Sequence, residues 1–350
     1  PTTDDLTKET AAQLMGKGLV MDMHSLERVE AYFKARRIEM TENNKKQALC
    51  PEGAMVLDND NGTAPGLILE ENGKRMILLP GPPNELHPLF EQQVKPYLQK
   101  LSPEIFYSRT VKLCGIGESK AAAMIQDMID AQTNPTIAPY AKTGEVHLRV
   151  TARAKDEQEG KKLVKPVIRE LKKRFGEMVY TTKEERTLEE AVVKLLKKNK
   201  MSITCAESCT GGLLAGRIVN VAGASSVFQT GYVTYANQAK RRLLGVKKST
   251  LREFGAVSTQ TAKEMASGAL AAAKADVAVS ITGIAGPDGG TARKPVGLVY
   301  IGCSVQGHTI AQEYRFSGNR EKIRDNAVSA ALTLTRRCIL ENCSKKQFGK

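Results

Sequence analysis

The stretch Ala206-Glu207-Ser208-Cys209-Thr210-Gly211-Gly212 decides the fold of the carboxy-terminal half of this chain. It follows the short β-like run Ile203–Cys205 and precedes a helical pattern, and a strand, a loop and a helix in succession indicate an α/β unit. Small residues let backbone N–H groups approach a ligand, and a helix start suits a phosphate. Ser208 is either a nucleophile or, like Thr210, a helix cap. Cys209 is a rival nucleophile, although no histidine lies near it in the sequence.

Two further loops follow strand patterns in the same half. Thr282–Thr291 is glycine-rich and follows the buried run Val277–Ile281. A loop of this length in a compact domain is more typical of a ligand site than of a plain turn. Lys240 lies one turn into a helix that begins near Asn237. It is either an exposed lysine or, if burial lowers its pKa, a base.

Residues 187–343 form one α/β domain in this interpretation. Thr187 and Glu190 match a capping box at the start of its first helix. Strands and helices then alternate, which predicts a sheet covered by helices. The predicted strands are Ser202–Cys205, Tyr232–Tyr235, Val277–Ile281, Val296–Cys303 and His308–Phe316, and the predicted helices follow Gly211, begin at Asn237, span Ser258–Ala273 and begin at Asn319.

Two other segments precede this domain. Residues 1–101 contain a hairpin-like stretch at Asn59–Gly62 and a strand at Arg75–Leu79 that leads into Pro80–Pro83. A helix is predicted to follow over residues 84–98, with Asn84 as its N-cap. Residues 102–180 predict the order β-α-β-β-α-β of a small split βαβ module. Its elements are predicted at Arg109–Leu113, Glu118–Ile129, Thr136–Lys142, Glu145–Ala154, Glu157–Phe175 and Glu177–Tyr180.

Composition narrows the function classes. No apolar run approaches the ~20 residues of a membrane span. The seven cysteines are scattered and lack the partners of a zinc site, which favours a reducing cytoplasm. The net charge of +14 fits either nucleic acid or a phosphorylated small molecule. The chain has no Trp and few aromatic residues, so no stacking platform for single strands is predicted, and nucleic acid is the less favoured partner.

Five blocks of residues 187–343 resemble the carboxy-terminal domain of the CinA (competence/damage-inducible protein) family. They read AESCTGGLLA, VFQTGYVTYANQAKRRLLGV, GAVSTQTAKEMASGAL, SITGIAGPDGGT and KPVGLVYIG. The first segment is similar to the amino-terminal, molybdopterin-binding-like domain of that family through PTTDDLT, NGTAPG and LPGPPNE. In the family PTTDDLT follows a glycine-rich strand end, so we expect the first strands of this domain to be missing, Pro1–Thr7 to be poorly anchored and Arg75–Leu79 to lack neighbours.

The resemblance implies a nicotinamide mononucleotide deamidase that releases nicotinate mononucleotide and ammonia in pyridine nucleotide recycling and needs no cofactor. Its motifs assign Ser208 as nucleophile and Lys240 as general base, with Tyr235 nearby. Thr282 and Gly283 would form part of the amide or ribose pocket. The phosphate would be held by the helix start Thr210-Gly211-Gly212 and by Arg324 or, as a second choice, Arg320. A serine–lysine pair supplies the activated nucleophile and the proton for ammonia, and loop N–H groups stabilise the oxyanion.

The amino-terminal resemblance implies a different activity, hydrolysis of ADP-ribose or a related pyrophosphate. Asp4 and Asp5 would then hold a divalent metal, or they are an acidic pair that stabilises a helix dipole. A third hypothesis is a non-enzymatic accessory protein in competence or DNA repair. The family resemblance further implies a homodimer.

Overall fold

The computed structural model describes residues 5–102 and 104–348, and contacts divide the chain into two compact units, Pro1–Ile105 and Phe106–Lys350. Both units mix helices and strands, so the predicted α/β class is confirmed. No helix of the described residues combines the length and the apolar character that crossing a bilayer requires.

The first unit contains short strands in two antiparallel sheets. One sheet pairs β1 with β2, and the other has the order β3-β4-β5. A π-helical turn joins its last two helices. The elements are α1 (Thr7–Leu14), β1 (Leu19–Met21), α2 (Met23–Arg36), α3 (Glu42–Lys45), β2 (Leu49–Pro51), β3 (Met55–Leu57), β4 (Gly66–Glu71), β5 (Lys74–Leu78), α4 (Pro83–Leu89) and α5 (Lys95–Leu101).

Three expectations for this unit can be compared with the structure. Within the described residues β5 pairs with β4 alone and lies at a sheet edge. Residues 1–4 lie outside the described residues, while the carbonyl of Asp5 accepts a hydrogen bond from Lys46. The predicted N-cap Asn84 is wrong, because α4 begins at Pro83. Proline fits the first helical position, where its missing N–H has no partner in any case.

The second unit begins with the small module, whose four strands have the order β7-β8-β6-β9. The single predicted helix over residues 118–129 is in fact two short helices, since Ile125 leaves the helical conformation and is fully buried. The elements are β6 (Ile105–Cys114), α6 (Glu118–Ala123), α7 (Gln126–Asp130), β7 (Thr136–Lys142), β8 (Glu145–Ala154), α8 (Glu157–Phe175) and β9 (Val179–Thr181).

The carboxy-terminal domain is built on a five-stranded sheet with the order β11-β10-β12-β13-β14. The first three strands in that order are parallel, and β13 and β14 are antiparallel to their neighbours. The elements are α9 (Leu188–Lys198), β10 (Ile203–Glu207), α10 (Leu213–Val219), β11 (Phe228–Val233), α11 (Asn237–Leu244), α12 (Lys248–Glu253), α13 (Thr259–Ala273), β12 (Val277–Gly283), β13 (Leu298–Val305), β14 (His308–Arg315) and α14 (Arg320–Phe348).

Helices cover both faces of this sheet. Cys205 of β10 belongs to the core under α9, α10 and α14, whereas its neighbour Ala206 packs with α11 and α13. The approach of α13 to α11 is close, because a Cβ at Gly268 would lie 1.9 Å from the carbonyl oxygen of Leu244. The predicted capping box of Thr187 and Glu190 is confirmed. This arrangement brings the carboxyl ends of β10, β11 and β12 to one edge.

Candidate active site

Ser208 and Lys240 meet at this edge of the sheet. Ser208 follows β10 directly, and Lys240 lies in the first turn of α11, after β11. Lys240 Nζ is 3.0 Å from Ser208 Oγ. Both residues are buried, with 1% and 8% of their surfaces exposed. The proximity expected from the sequence is therefore found, because parallel neighbouring strands end on the same side.

Burial makes the amine of Lys240 easier to deprotonate than an exposed lysine. Its Nζ also donates to the carbonyl oxygens of Thr234, at 2.8 Å, and Tyr235, at 3.3 Å. Among the described residues no carboxylate forms an ion pair with it, and burial lowers the pKa of Lys240 from 10.5 to about 8. A neutral amine keeps two N–H donors for the two carbonyls and turns its lone pair to Ser208. The geometry suits removal of a proton from the serine hydroxyl.

Glu207 is a site residue that the sequence did not single out. Its side chain is fully buried, and it accepts hydrogen bonds from the N–H groups of Gly212, Leu214 and Ala215 at 3.0, 3.1 and 2.9 Å. The carboxylate thus occupies the start of α10. Of the residues Thr210, Gly211 and Gly212 that were expected to bind a phosphate, Gly212 thus already donates its N–H to an anionic acceptor, and the phosphate role of this helix start stays a prediction.

The turn between Glu207 and α10 contains two further backbone N–H groups that can bind a ligand. Gly211 N–H donates to the Ser208 carbonyl, and Gly211 and Gly212 have φ of +60° and +100°, which glycine adopts without strain. In the described part of the chain, the N–H groups of Cys209 and Thr210 donate no hydrogen bond to another residue. They follow the nucleophile candidate directly, so they are the donors best placed for an oxyanion.

Cys209 is the weaker nucleophile in this structure. It is buried, with 6% of its surface exposed, and burial raises the pKa of its thiol to about 11. A thiol with that pKa is protonated at neutral pH and does not attack as a thiolate. The backbone carbonyl of Cys209, by contrast, has a structural role, because it accepts a hydrogen bond from Arg324.

The two candidate arginines of α14 both reach the site. Arg324 donates through Nε to the Cys209 carbonyl at 3.1 Å and through Nη2 to the Thr210 carbonyl at 2.8 Å. Arg320 is exposed and donates to the Gly286 carbonyl at 2.7 Å and to the Tyr235 hydroxyl at 3.3 Å. Arg324 therefore holds the loop that follows Ser208, while Arg320 links the loop of Tyr235 to that of Gly286.

The other predicted pocket residues do not line one wall together. They are Tyr235, Thr282 and Gly283. Tyr235 is 63% exposed and touches Lys240 through its carbonyl rather than its ring. Thr282 is 1% exposed, and its hydroxyl donates to the Ala256 carbonyl at 2.7 Å. A contact between Thr282 and an amide would require that bond to break. Gly283 lies against β13, where a Cβ would be 2.8 Å from the Leu298 carbonyl oxygen.

The candidate metal ligands of the first unit can be placed only in part. Asp4 lies outside the described residues. Asp5 accepts a hydrogen bond from the N–H of Thr7, at the start of α1. In residues 5–102 and 104–348 no group of three or more His, Cys, Asp or Glu side chains has an arrangement that could hold a metal ion.

Comparisons with known proteins give the family. A model described as "Probable molybdopterin binding domain" matches residues 1–100, the damage-inducible protein CinA KH domain matches residues 108–181, and the CinA C-terminal domain matches residues 185–339. A CinA-like protein of Kosmotoga olearia is 52% identical over 340 residues, which cover 97% of this chain and 82% of that protein. The chain belongs to the CinA family.

Two solved structures similar to this CinA-family chain each cover less than half of it. The competence/damage inducible protein CihA from Agrobacterium tumefaciens is 46% identical, with a TM-score of 0.41, and covers 42% of this chain and 90% of its own. A CinA superfamily protein from Klebsiella pneumoniae 700603 is 36% identical, with a TM-score of 0.43, and covers 44% of this chain and 96% of its own.

Proposed function

We propose that the carboxy-terminal domain of this CinA-family chain is an amidohydrolase that converts nicotinamide mononucleotide to nicotinate mononucleotide and ammonia. The observation that carries the proposal is the buried contact of 3.0 Å between Lys240 Nζ and Ser208 Oγ. A hydroxyl does not attack an amide unaided, and a lysine whose pKa is about 8 supplies the base that it needs.

The proposed reaction has two halves. Lys240 accepts the Ser208 proton while Oγ bonds to the amide carbon, and the N–H groups of Cys209 and Thr210 bind the oxyanion. The ammonium of Lys240 then protonates the departing nitrogen, which leaves as ammonia and gives an acyl ester on Ser208. Lys240 next takes a proton from water, the hydroxide attacks the ester, and the returned proton restores Ser208 as the carboxylate product leaves.

A phosphorylated substrate is favoured by the arginine at the rim. Arg320 is exposed, and its partners are a carbonyl and a phenol rather than a carboxylate. It can exchange these neutral partners for a phosphate, with which guanidinium forms stronger, charge-assisted bonds. The matching experiment measures ammonia release from nicotinamide mononucleotide, with nicotinamide riboside and ADP-ribose as competing substrates. Absence of ammonia from the mononucleotide would refute the proposal.

The pH dependence of the reaction should report on Lys240. The base form is the neutral amine, so kcat/KM should rise about tenfold per pH unit below pH 7 and level off above its pKa of about 8. Initial rates of ammonia release from pH 6 to 10 measure this profile. A profile that is flat between pH 6 and 9 would mean that a different group is the base.

The two arginines should affect different kinetic constants. Arg320→Ala should raise the KM for nicotinamide mononucleotide at least tenfold with little change in kcat, because it removes binding that is equal in ground and transition states. Arg324→Ala should instead lower kcat, because Arg324 holds the Cys209 and Thr210 carbonyls. Steady-state kinetics separate the two effects, with the exposed Arg315→Ala as control. Equal effects of Arg320→Ala on the mononucleotide and the riboside would remove the phosphate role.

A second candidate function belongs to the first unit. Asn59 joins the motifs NGTAPG and LPGPPNE there, since its Nδ2 donates to the Ala64 carbonyl at 2.9 Å and to Glu85 Oε2 at 2.6 Å. Next to them lies a cavity of about 490 Å³ whose wall includes Lys8, Lys46 and Asp5. Cationic side chains suit a pyrophosphate, so hydrolysis of ADP-ribose or a related dinucleotide is the alternative activity. ADP-ribose hydrolysis that survives Ser208→Ala would assign it to this unit.

A further inference from the structure

Both oxygens of the Glu207 carboxylate accept hydrogen bonds. Oε2 accepts from the N–H groups of Gly212 and Leu214 at 3.0 and 3.1 Å, and Oε1 accepts from that of Ala215 at 2.9 Å. The thiol of Cys205, 3.6 Å from Oε1, is a weaker fourth donor. The side chain is fully buried, and among the described residues no Lys, Arg or His forms an ion pair with it. Backbone N–H groups are therefore the main stabilisation of this buried carboxylate.

The carboxylate fixes the far end of the turn that carries Ser208. It holds the N–H of Gly212, and the preceding N–H, that of Gly211, donates to the Ser208 carbonyl at 3.1 Å. In a trans peptide the C=O and the following N–H point in opposite directions, so this bond aims the N–H of Cys209 away from Gly211. That N–H is one of the two proposed oxyanion donors. Its direction therefore depends on where Glu207 holds Gly212.

The backbone of Glu207 also connects the strand end of the nucleophile with that of the base. Its carbonyl accepts a hydrogen bond from the N–H of Thr234 at 2.7 Å, and the Thr234 carbonyl accepts one from Lys240 Nζ at 2.8 Å. The next residue, Ser208, donates its N–H to the Ile281 carbonyl at 2.9 Å. In the described part of the chain the Glu207 carboxylate bonds neither the serine hydroxyl nor the lysine amine. Any effect on the reaction must pass through the backbone.

We propose that Glu207 is a positioning residue, whose carboxylate holds the turn so that the oxyanion donors meet the developing charge. This role rests on the deamidation proposed above. Preorganised donors need no reorientation during the reaction, and a displacement of about 1 Å can lower a rate ~10²-fold. The task requires a carboxylate, because both of its oxygens accept hydrogen bonds. Glutamine has one accepting atom, so in either orientation its NH2 group faces at least one of the three N–H groups.

Glu207→Gln tests this role with almost no change in side-chain volume. Its kcat for ammonia release from nicotinamide mononucleotide should fall at least about tenfold while KM stays within about twofold, because oxyanion donors act on the transition state. The midpoint of kcat/KM against pH should stay near 8, since burial lowers the pKa of Lys240 and the Glu207 side chain does not contact it. Steady-state kinetics from pH 6 to 10 measure all three quantities.

Asp276→Asn is the matched control, because Asp276 has a similar structural task at the other end of the same sheet. It lies just before β12, and its Oδ2 accepts hydrogen bonds from the N–H and the hydroxyl of Ser202 at 2.8 and 2.9 Å. Both variants exchange a carboxylate for an amide and should lower the unfolding midpoint. The kcat of Asp276→Asn should nevertheless stay within about twofold of the wild type. Equal losses of kcat in the two folded variants would overturn the proposal.

Glu207→Asp is the second variant, and it carries the test alone if Glu207→Gln does not fold. It keeps the charge and shortens the side chain by one methylene, so its kcat should lie between those of the wild type and Glu207→Gln. A wild-type kcat in either folded variant would show that the position of the carboxylate does not matter to the reaction.

A covalent probe separates this role from the identity of the substrate. A fluorophosphonate should label Ser208: Oγ bonds to phosphorus, fluoride leaves, and the hydroxyl proton passes to Lys240. Peptide mass spectrometry gives the labelling rate, which should be at least about tenfold slower in Glu207→Gln than in the wild type and Asp276→Asn. That difference without ammonia release by the wild type would refute the deamidase and support the positioning role. Equal labelling rates would overturn the positioning role.

Discussion

Ser208→Ala should lower kcat for ammonia release from nicotinamide mononucleotide by at least about 10³-fold, and Lys240→Ala by a similar factor. The hydroxyl forms the covalent bond, and the amine, 3.0 Å away, must take its proton. Neither can act without the other. The double variant should therefore be no slower than the worse single variant, because residues that act as a unit are not additive.

The control for this prediction is Cys209→Ser. Its side chain is buried beside the same loop, and its raised pKa of about 11 argues against a thiolate, so most activity should remain. Initial rates and thermal unfolding are measured together for each variant, because a misfolded protein would also be inactive. A Ser208→Ala variant with full activity would contradict the mechanism, and loss of activity in Cys209→Ser would move the nucleophile to the thiol.

Local patterns predicted the parts of the fold that depend on local chemistry. The capping box at Thr187, the helix start at Asn237 and the strand Thr136–Lys142 all follow from residue type and spacing. Strand β11 shows the limit, since Tyr232–Tyr235 was predicted and Phe228–Val233 is observed. Its residues are mostly exposed at a sheet edge, so hydrophobic periodicity marks its bounds poorly.

Contacts across the fold account for what sequence patterns missed in the site. In the sequence Glu207 resembles a polar loop residue. In the structure it is buried, and its carboxylate accepts hydrogen bonds from three N–H groups at the start of α10, which follows the turn after Glu207. The Arg320 contact with Gly286 joins residues 34 positions apart. Such partners depend on strand order, which no local pattern specifies.

Burial of Lys240 should also make the free energy of unfolding depend on pH. The amine is 1% exposed, and its pKa falls from the ordinary 10.5 to about 8 in the folded chain. Between these two values the unfolded chain binds the proton and the folded chain does not, so stability rises with pH across that window. Below about pH 8 both the folded and the unfolded chain hold the proton, so the free energy of unfolding is reduced by the full cost of burying the charge. The difference between these two pKa values corresponds to ~3 kcal/mol in the free energy of unfolding.

Lys240→Met isolates this effect, because methionine does not titrate at a similar side-chain length. Relative to Lys240→Met, the wild type should gain about 3 kcal/mol in free energy of unfolding between pH 7 and pH 10.5. Denaturant unfolding of both proteins across that range measures the difference, with the exposed Lys248→Met as control for removal of a lysine. Parallel curves for the wild type and Lys240→Met would show that Lys240 keeps its proton in the fold. The same result would remove the base from the proposed reaction, since the depressed pKa that limits stability at neutral pH is what prepares Lys240 to accept the Ser208 proton.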